Sequence, residues 1–198
     1  MHNKSFSDGY DTGILRDGNS RNMIFISDFD DTLFFTDKSI NAASMDMFGK
    51  NLSWSEIRAL PGDTKHALYN RAYTTYMDLL EPNTRLIDAY TRHINNGAEV
   101  IILSARGEEL RTETEQMLKK YGIPYREVIL PADHSTRDQE WKCSLLEKLL
   151  EKESSDLLFV EDKTENLEYA RSRLLSDRVK YLLVTKEGIS EYAGKNTQ

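Results

Sequence analysis

The chain has 198 residues, a length that favours one domain with at most a small appended element. Its 33 acidic and 26 basic residues give a formal charge of −7, so a general attraction to nucleic acid or to an anionic membrane surface is not indicated. A single cysteine, Cys143, excludes an internal disulfide and suits a reducing compartment.

The first part of the chain has no pattern of a secretion signal, and no apolar run approaches the ~20 residues that span a bilayer. We therefore expect a cytoplasmic protein without a membrane partner. Residues 1–21 are rich in Ser, Asp, Asn and Gly, which we interpret as a flexible leader.

Short apolar, β-branched runs follow the leader, and each is continuous rather than alternating. They are residues 23–27, 98–103, 125–130, 156–161 and 179–184. Continuous runs are typical of strands that are buried on both faces of a parallel sheet. Segments with helical periodicity lie between them, at 83–96, 107–121, 138–152 and 164–175. The alternation predicts an α/β fold, with an open five-stranded parallel (Rossmann-like) sheet flanked by helices.

One connection is too long for this scheme. About 70 residues separate the first run from the second, roughly twice what a single crossover helix needs. The pattern of the extra residues, 37–80, predicts a helix over 39–48, a short helix that begins at Ser53, and a longer helix over 63–80. We therefore divide the chain into a core of residues 22–36 and 81–190, a small helical insertion of residues 37–80, and a tail of residues 191–198.

Polar side chains follow the predicted strands, where open α/β sheets bind their ligands. The first strand leads into "SDFDDTLFF" (27–35), the second into Ser104 and Arg106, and the fourth into Glu161, Asp162 and Asn166. Lys142 lies near the start of the helix before the fourth strand. This combination of carboxylates, a hydroxyl and an ammonium group suits phosphoryl transfer.

A divalent cation explains how the acidic side chains tolerate one another. Mg²⁺ prefers oxygen ligands, so it would bind Asp28 and Asp162 and, with Lys142, offset their repulsion. Asp28 would then attack phosphorus to form an aspartyl-phosphate. Asp30, two residues on, would protonate the leaving oxygen and later activate water. Asp31 fits a turn without chemistry.

These motifs resemble the haloacid dehalogenase (HAD) superfamily of phosphatases and phosphotransferases, over roughly residues 22 to 185. The resemblance implies that Asp28 is nucleophile and metal ligand, and that Asp30 is the acid/base with its backbone carbonyl also on the metal. It further implies that Thr32 braces the loop, that Ser104 and Lys142 hold phosphoryl oxygens, and that Asp162 is a metal ligand. Residues 37–80 look like the helical cap that this superfamily places after its first motif.

Three positions keep more than one interpretation. "FVEDKTENLEYAR" (159–171) is similar to the fourth motif of members with a DDxxxN pattern, but Glu161 replaces the first acid. Glu161 fits either a metal ligand or a hydrogen-bond acceptor that does not contact the metal. Asn166 fits a site contact or a helix cap. Arg106 fits a contact to substrate phosphate or a surface position. Residues 133–142, "DHSTRDQEWK", are loosely similar to the third-motif region of polynucleotide 3′-phosphatases.

The predicted function is a Mg²⁺-dependent phosphomonoester hydrolase that acts on a small phosphorylated metabolite, of the nucleotide or sugar phosphate class. A phosphotransferase or phosphomutase would use the same residues. A receiver-like signalling module or a catalytically silent phosphate-binding module are alternatives of another class. Within the insertion we expect Lys65, His66 and Tyr69 to affect substrate choice. The substrate and the oligomeric state stay open.

Overall fold

The computed structural model describes residues 22–132 and 136–194. The expected leader, the last residues of the tail and part of the third-motif region (133–135) lie outside these described residues. Within them, none of the helices is both long enough and apolar enough to cross a bilayer.

A sheet of six strands runs through the centre of the protein. The strands of the sheet are β1 (Met23–Ser27), β4 (Glu99–Leu103), β5 (Glu127–Ile129), β6 (Asp156–Glu161), β7 (Val179–Val184) and β8 (Ile189–Glu191), in the spatial order β5-β4-β1-β6-β7-β8. The first five are parallel, and β8 pairs antiparallel with β7 at one edge. The predicted parallel sheet is confirmed, with one short antiparallel strand added.

Helices cover both faces of this sheet and also fill the long first connection. They are α1 (Asp37–Phe48), α2 (Trp54–Ala59), α3 (Gly62–Thr74), α4 (Thr84–Asn95), α5 (Arg111–Lys120), α6 (Asp138–Lys152) and α7 (Thr164–Arg173), with short 3₁₀ turns at Met77–Leu79 and Glu108–Leu110. Every helical segment that the periodicity predicted contains a helix, including the pieces of the insertion.

Side chains of the central strand β1 point alternately into two apolar layers, one on each face of the sheet. Ile24 and Ile26 point toward the layer that contains Leu146 of α6 and Leu167 of α7. Phe25 points to the other face, where its ring and the Tyr90 ring of α4 form a T-shaped pair with centroids 5.0 Å apart. Because both faces of β1 are covered, four of its five residues, Met23 to Ile26, form a continuous apolar run, as expected for a strand inside a parallel sheet.

The helical insertion leaves and rejoins the core through a two-stranded antiparallel ribbon. Strand β2 (Phe34–Phe35) pairs with β3 (Glu81–Pro82) at the two ends of the inserted segment. Asn83 secures this crossing, because its backbone N–H donates to the Leu33 carbonyl at 2.8 Å and its side-chain amide donates to the Thr32 carbonyl at 3.0 Å. The insertion therefore starts and ends beside the loop that follows β1.

Helices α1 and α3 of the insertion contribute buried side chains to the same apolar layer as Phe25. These are Ile40 and Ala43 on α1, and Leu68 and Ala72 on α3, all at most 2% exposed. The insertion is thus continuous with the core on the α4 and α5 side of the sheet, next to the carboxyl ends of β1 and β4.

Candidate active site

A buried lysine lies between two carboxylates at the carboxyl end of the sheet. The Nζ atom of Lys142 is 2.7 Å from Asp28 Oδ1 and 2.7 Å from Glu161 Oε2, and its side chain is 1% exposed. Asp28 follows β1 directly, and Glu161 is the last residue of the neighbouring strand β6. The parallel register therefore brings the two acids together over a separation of more than a hundred residues.

Glu161 is fully occupied by hydrogen bonds from the protein. Oε1 accepts from the backbone N–H groups of Asp162 (3.1 Å) and Lys163 (3.2 Å), and Oε2 accepts from Lys142 and from Asn166 Nδ2 (2.9 Å). A carboxylate offers about four lone-pair positions, so each already has a donor. Although burial alone would raise the pKa of Glu161, Lys142 and these donors hold it below its usual range.

Apart from the Lys142 bond to Asp28 Oδ1, the partners of Asp28 and Asp162 are weaker than those of Glu161. Thr32 Oγ1 lies between them, 3.4 Å from Asp28 Oδ2 and 3.5 Å from Asp162 Oδ1, distances at which a hydroxyl bond is weak. Burial raises the pKa of Asp28 above its usual range in spite of Lys142, and burial together with Glu161 and Asp28 raises that of Asp162. The Lys142 ammonium therefore does not offset the effect of burial on Asp28.

Carboxylate oxygens of Asp28, Glu161 and Asp162 lie within 4.8 Å of one another, an arrangement that could hold a metal ion. The residues fit a hard divalent cation, because the ligand atoms are oxygens and both Asp28 Oδ2 and Asp162 Oδ1 have only the distant Thr32 hydroxyl as a hydrogen-bond partner among the described residues. Among the three, Asp28 and Asp162 have oxygens left for direct contact. The four donors on Glu161 leave it better suited to orient Lys142.

Asp30 belongs to a different group of side chains. Arg106 grips its carboxylate with two hydrogen bonds, from Nε to Oδ2 at 2.8 Å and from Nη2 to Oδ1 at 2.6 Å. The guanidinium is sandwiched between the rings of Phe29 (4.2 Å) and Tyr73 (4.1 Å) and also donates to Thr114 Oγ1. Arg106 is 4% exposed. The surface position, which was one of the two alternatives for this residue, is therefore wrong.

The loop after β1 turns sharply at Asp31. This residue has a φ of 58°, which few side chains other than Asn and Asp tolerate. Its Oδ1 accepts hydrogen bonds from the backbone N–H and the hydroxyl of Thr36, at 2.9 and 2.8 Å. Asp31 thus shapes the turn that leads into α1, as the sequence suggested.

A cavity of about 280 Å³ opens over these groups. Asp28, Asp30, Ser104 and Asp162 lie on its walls, and Lys142 lies behind them. Ser104 is buried at the end of β4, where its Oγ accepts from the Arg106 backbone N–H at 3.3 Å. Asn166 is also buried and donates to Glu161 and, at 3.0 Å, to Asp138 Oδ2. The structure therefore brings the predicted site residues together at one edge of the sheet.

Several cavity residues have no motif that would single them out. They are Trp54, Asn70 and Tyr73 of the insertion, Glu109 of the 3₁₀ turn after β4, and Lys163. Of the three insertion residues predicted to affect substrate choice, His66 and Tyr69 line the cavity. Lys65 does not, because its Nζ donates to the Arg58 carbonyl at 3.3 Å. Lys163 could have been found from its position beside Asp162.

The sequence model of one protein family, described as protein of unknown function (DUF2608), matches residues 11–195. The chain belongs to this family. No curated protein matches its sequence. The match spans the core, the insertion and every site residue named above.

Solved structures with a similar fold provide a second comparison for this DUF2608 member. A hydrolase from Streptococcus pneumoniae TIGR4 matches with 16% identity and a TM-score of 0.53, covering 83% of this chain and 94% of its own. A haloacid dehalogenase-like hydrolase from Streptococcus pneumoniae matches with 12% identity and a TM-score of 0.57, covering 84% and 85%. A proposed beta-phosphoglucomutase from Thermotoga maritima matches with 15% identity and a TM-score of 0.55, covering 79% and 83%.

At these identities the comparison concerns the fold alone. The DUF2608 chain shares the α/β architecture of HAD-like proteins, so the fold expected from the resemblance is confirmed. The acidic loop after β1, Ser104 after β4, and the acids at the end of β6 lie at the carboxyl edge of this sheet, where an open α/β fold binds its ligands.

Proposed function

We propose that the protein is a Mg²⁺-dependent phosphomonoester hydrolase that acts through an aspartyl-phosphate on Asp28. The observation that carries the proposal is the arrangement of Lys142 and Asp162 around that carboxylate. Asp28 is 4% exposed, 2.7 Å from the Lys142 ammonium and grouped with Asp162, yet it lies on the wall of the cavity. A buried carboxylate that faces both a cation and a cavity is suited to attack an electrophile held there.

Mg²⁺ would be held by Asp28, Asp162 and the backbone carbonyl of Asp30, and when bound it neutralises the negative charge of the phosphoryl group. Glu161 orients Lys142 and stays outside direct metal contact, because its four lone-pair positions already accept protein donors. Asn166 supports Glu161 from the start of α7.

The chemistry divides between Asp28 and Asp30. An Asp28 oxygen attacks phosphorus, the bond between phosphorus and the ester oxygen breaks, and Asp30, which enters this step protonated, delivers its proton to the departing oxygen. Asp30 then takes a proton from water as the water oxygen attacks the phosphorus of the aspartyl-phosphate, which restores Asp28 and releases phosphate. Ser104 and Lys142 hold phosphoryl oxygens during both steps, Thr32 braces the loop, and Arg106 orients Asp30.

The substrate is a small phosphate ester. A cavity of about 280 Å³ lies at the lower end of the size range for small-molecule sites. Helices α2 and α3 supply one wall of this cavity through Trp54, His66, Tyr69, Asn70 and Tyr73. We propose that the insertion acts as a small cap over the cavity. In this role it contacts the leaving group, while the core performs the phosphoryl chemistry.

A panel of phosphate esters, assayed for release of inorganic phosphate with and without Mg²⁺, tests the proposal. Turnover that requires Mg²⁺ and is abolished in Asp28→Asn supports it. Adding a high concentration of an acceptor alcohol separates hydrolysis from phosphotransfer, since a transferase would form a new ester at the expense of phosphate. Full turnover in EDTA, or an active Asp28→Asn protein, would contradict it.

A further inference from the structure

An aromatic wall lines part of the candidate active site. It consists of Trp54 at the start of α2 and Tyr69 on α3, and both line the cavity that contains Asp28 and Asp30. The Tyr69 ring is stacked on Tyr73, with centroids 5.9 Å apart and an interplanar angle of 13°. Tyr73 in turn lies on the Arg106 guanidinium, so the wall continues inward to the group that holds Asp30.

The exposure of Trp54 is not a sign of a loose segment. Helix α2 begins with a complete capping box, in which Glu56 N–H donates to Ser53 Oγ and Ser53 N–H donates to Glu56 Oε2 at 2.7 Å. Ile57, one turn further, is 1% exposed and anchors the helix in the apolar layer. Trp54 is nevertheless 41% exposed, so a well-ordered helix holds a large planar side chain open to the cavity.

Trp54 also contributes to a second cavity, of about 260 Å³, which shares Asp31 and Asp162 with the first. The indole therefore borders space that extends from the catalytic groups past the insertion. Asp28 and Trp54 line the same cavity, so a ligand with its phosphate at Asp28 shares this space with the indole. Isolated apolar side chains at a surface are common, but an exposed indole and a tyrosine on the wall of the same catalytic cavity are suited to stack on a planar ligand.

Hydrogen-bonding groups accompany the aromatic rings. His66, Asn70 and Glu109 line the same cavity, and His66 Nε2 lies 3.6 Å from Glu109 Oε1 across the gap between α3 and the turn after β4. A planar ring with polar edges could stack on the aromatic side chains and bond to these groups. An aliphatic sugar offers hydroxyls but no flat π-face.

We propose, on the basis of the proposed hydrolase function, that the substrate is a nucleoside monophosphate and that Trp54, with Tyr69, binds its base by stacking. The overall charge of −7 disfavours a polyanionic nucleic acid, and the size of the cavity matches a single small ester. The base supplies binding energy at the insertion, and the phosphate reaches Asp28.

A matched pair of substrates isolates the base. Ribose 5-phosphate and the nucleoside 5′-monophosphates share the ribose and the phosphate, and they differ in the base. We expect kcat/KM of the wild-type protein to be at least about fivefold higher for one or more nucleotides, the lower end for stacking of one base on an aromatic side chain. Purine and pyrimidine nucleotides, compared in turn, define the preferred base.

Substitutions then assign the preference to Trp54. Trp54→Ala should bring the ratio of nucleotide to ribose 5-phosphate turnover close to one, and Trp54→Phe should restore part of it. Tyr125→Ala is the matched control, because Tyr125 is a similarly exposed aromatic (37%) in the loop before β5, at the opposite edge of the sheet. That variant should keep the wild-type ratio. A ratio that is near one in the wild type, or that survives Trp54→Ala, overturns the proposal.

A binding measurement separates this proposal from the hydrolase function. The chain has two tryptophans, so Trp54 is the sole fluorophore of its kind in a protein with Trp141→Phe and Asp28→Asn. In the presence of Mg²⁺, a nucleoside monophosphate should quench its fluorescence with saturation, whereas ribose 5-phosphate should not. Saturable quenching without turnover of any ester by the wild type would reject the hydrolase and keep the nucleotide site. Turnover of esters with no nucleotide-specific quenching would reject the nucleotide site and keep the hydrolase.

Discussion

Arg106 holds both carboxylate oxygens of Asp30, at 2.8 and 2.6 Å, and is itself clamped between two aromatic rings. The bidentate pair fixes the direction of the Asp30 carboxylate, and the rings fix the guanidinium. This ion pair favours the ionised form of Asp30, which is the form that activates water in the second step, and such a base depends on alignment. We therefore assign Arg106 as a positioning residue for Asp30 in the proposed mechanism.

Replacing Arg106 with Lys should impair the proton transfer assigned to Asp30. Lysine keeps the charge but loses the fork geometry and the stacking, so kcat should fall at least about tenfold, a part of the roughly 10²–10⁴-fold that general acid–base catalysis contributes. The loss should be larger for an alkyl phosphate than for nitrophenyl phosphate, whose leaving group needs no proton. Arg126→Lys is the control, since Arg126 pairs with Glu99 and Glu153 away from the cavity. An equal loss on both esters would argue against positioning.

Lys142 should be a major contributor to stability as well as to chemistry. Lys142→Met leaves Asp28 and Glu161 buried without their ammonium partner, and breaking a buried pair in this way costs about 3–5 kcal/mol. Urea unfolding should show this loss in the free energy of unfolding. Lys163→Met, which removes a neighbouring ammonium group with a side chain 53% exposed, should change stability by less than about 1 kcal/mol. Similar stabilities of the two variants would refute the structural role of Lys142.

The insertion should control substrate preference through the residues that face the cavity. Tyr69→Ala and His66→Ala should change KM and the ranking of esters by modest factors. Lys65→Ala should leave both unchanged, because Lys65 bonds to the Arg58 carbonyl and does not line the cavity. Steady-state kinetics on the ester panel, with a thermal unfolding curve for each variant, tests this. If Tyr69→Ala unfolds the protein and the other variants keep the wild-type ranking of esters, the insertion serves packing alone.

The sequence is informative wherever a residue's environment follows from its neighbours in the chain. Continuous apolar runs predicted the parallel strands because both faces of those strands are covered, and the acids after β1 and β6 could be grouped because parallel register aligns strand ends. Strand β8 escaped prediction because it has three residues, of which Ile189 alone is buried. Short edge strands carry little hydrophobic pattern.

The position of Arg106 could not be read in the same way. Its partner Asp30 is 76 residues earlier and the ring of Tyr73 belongs to the insertion, so its burial depends on how the insertion packs against the loop that follows β4. The exposure of Trp54 could not be predicted either, since a large aromatic side chain in an amphipathic segment is usually part of the core. The hydrogen bonds of Glu161 likewise could not be predicted, because they depend on the donors that the fold places around its carboxylate.

Mg²⁺ binding should be measurable without any substrate. A ligand that binds only the folded state stabilises it, so added Mg²⁺ should raise the thermal unfolding temperature. Asp162→Asn removes one of the two carboxylates assigned to direct contact and should abolish the shift, whereas Asp138→Asn, which alters an acid assigned no metal contact, should keep most of it. A shift of the same size in Asp162→Asn would place the ion elsewhere.

The phosphorylated residue itself is the most direct test of the central claim, which is that Asp28 becomes an aspartyl-phosphate. In Asp30→Asn the water that hydrolyses this intermediate lacks its base, so acid quench after mixing with a radiolabelled phosphate ester of a good leaving group and Mg²⁺ should trap label on the protein. Peptide mapping should place the label on Asp28, and the variant with both Asp30→Asn and Asp28→Asn should carry none. Label on another residue, or turnover by Asp28→Asn at the wild-type rate, would contradict the proposed mechanism.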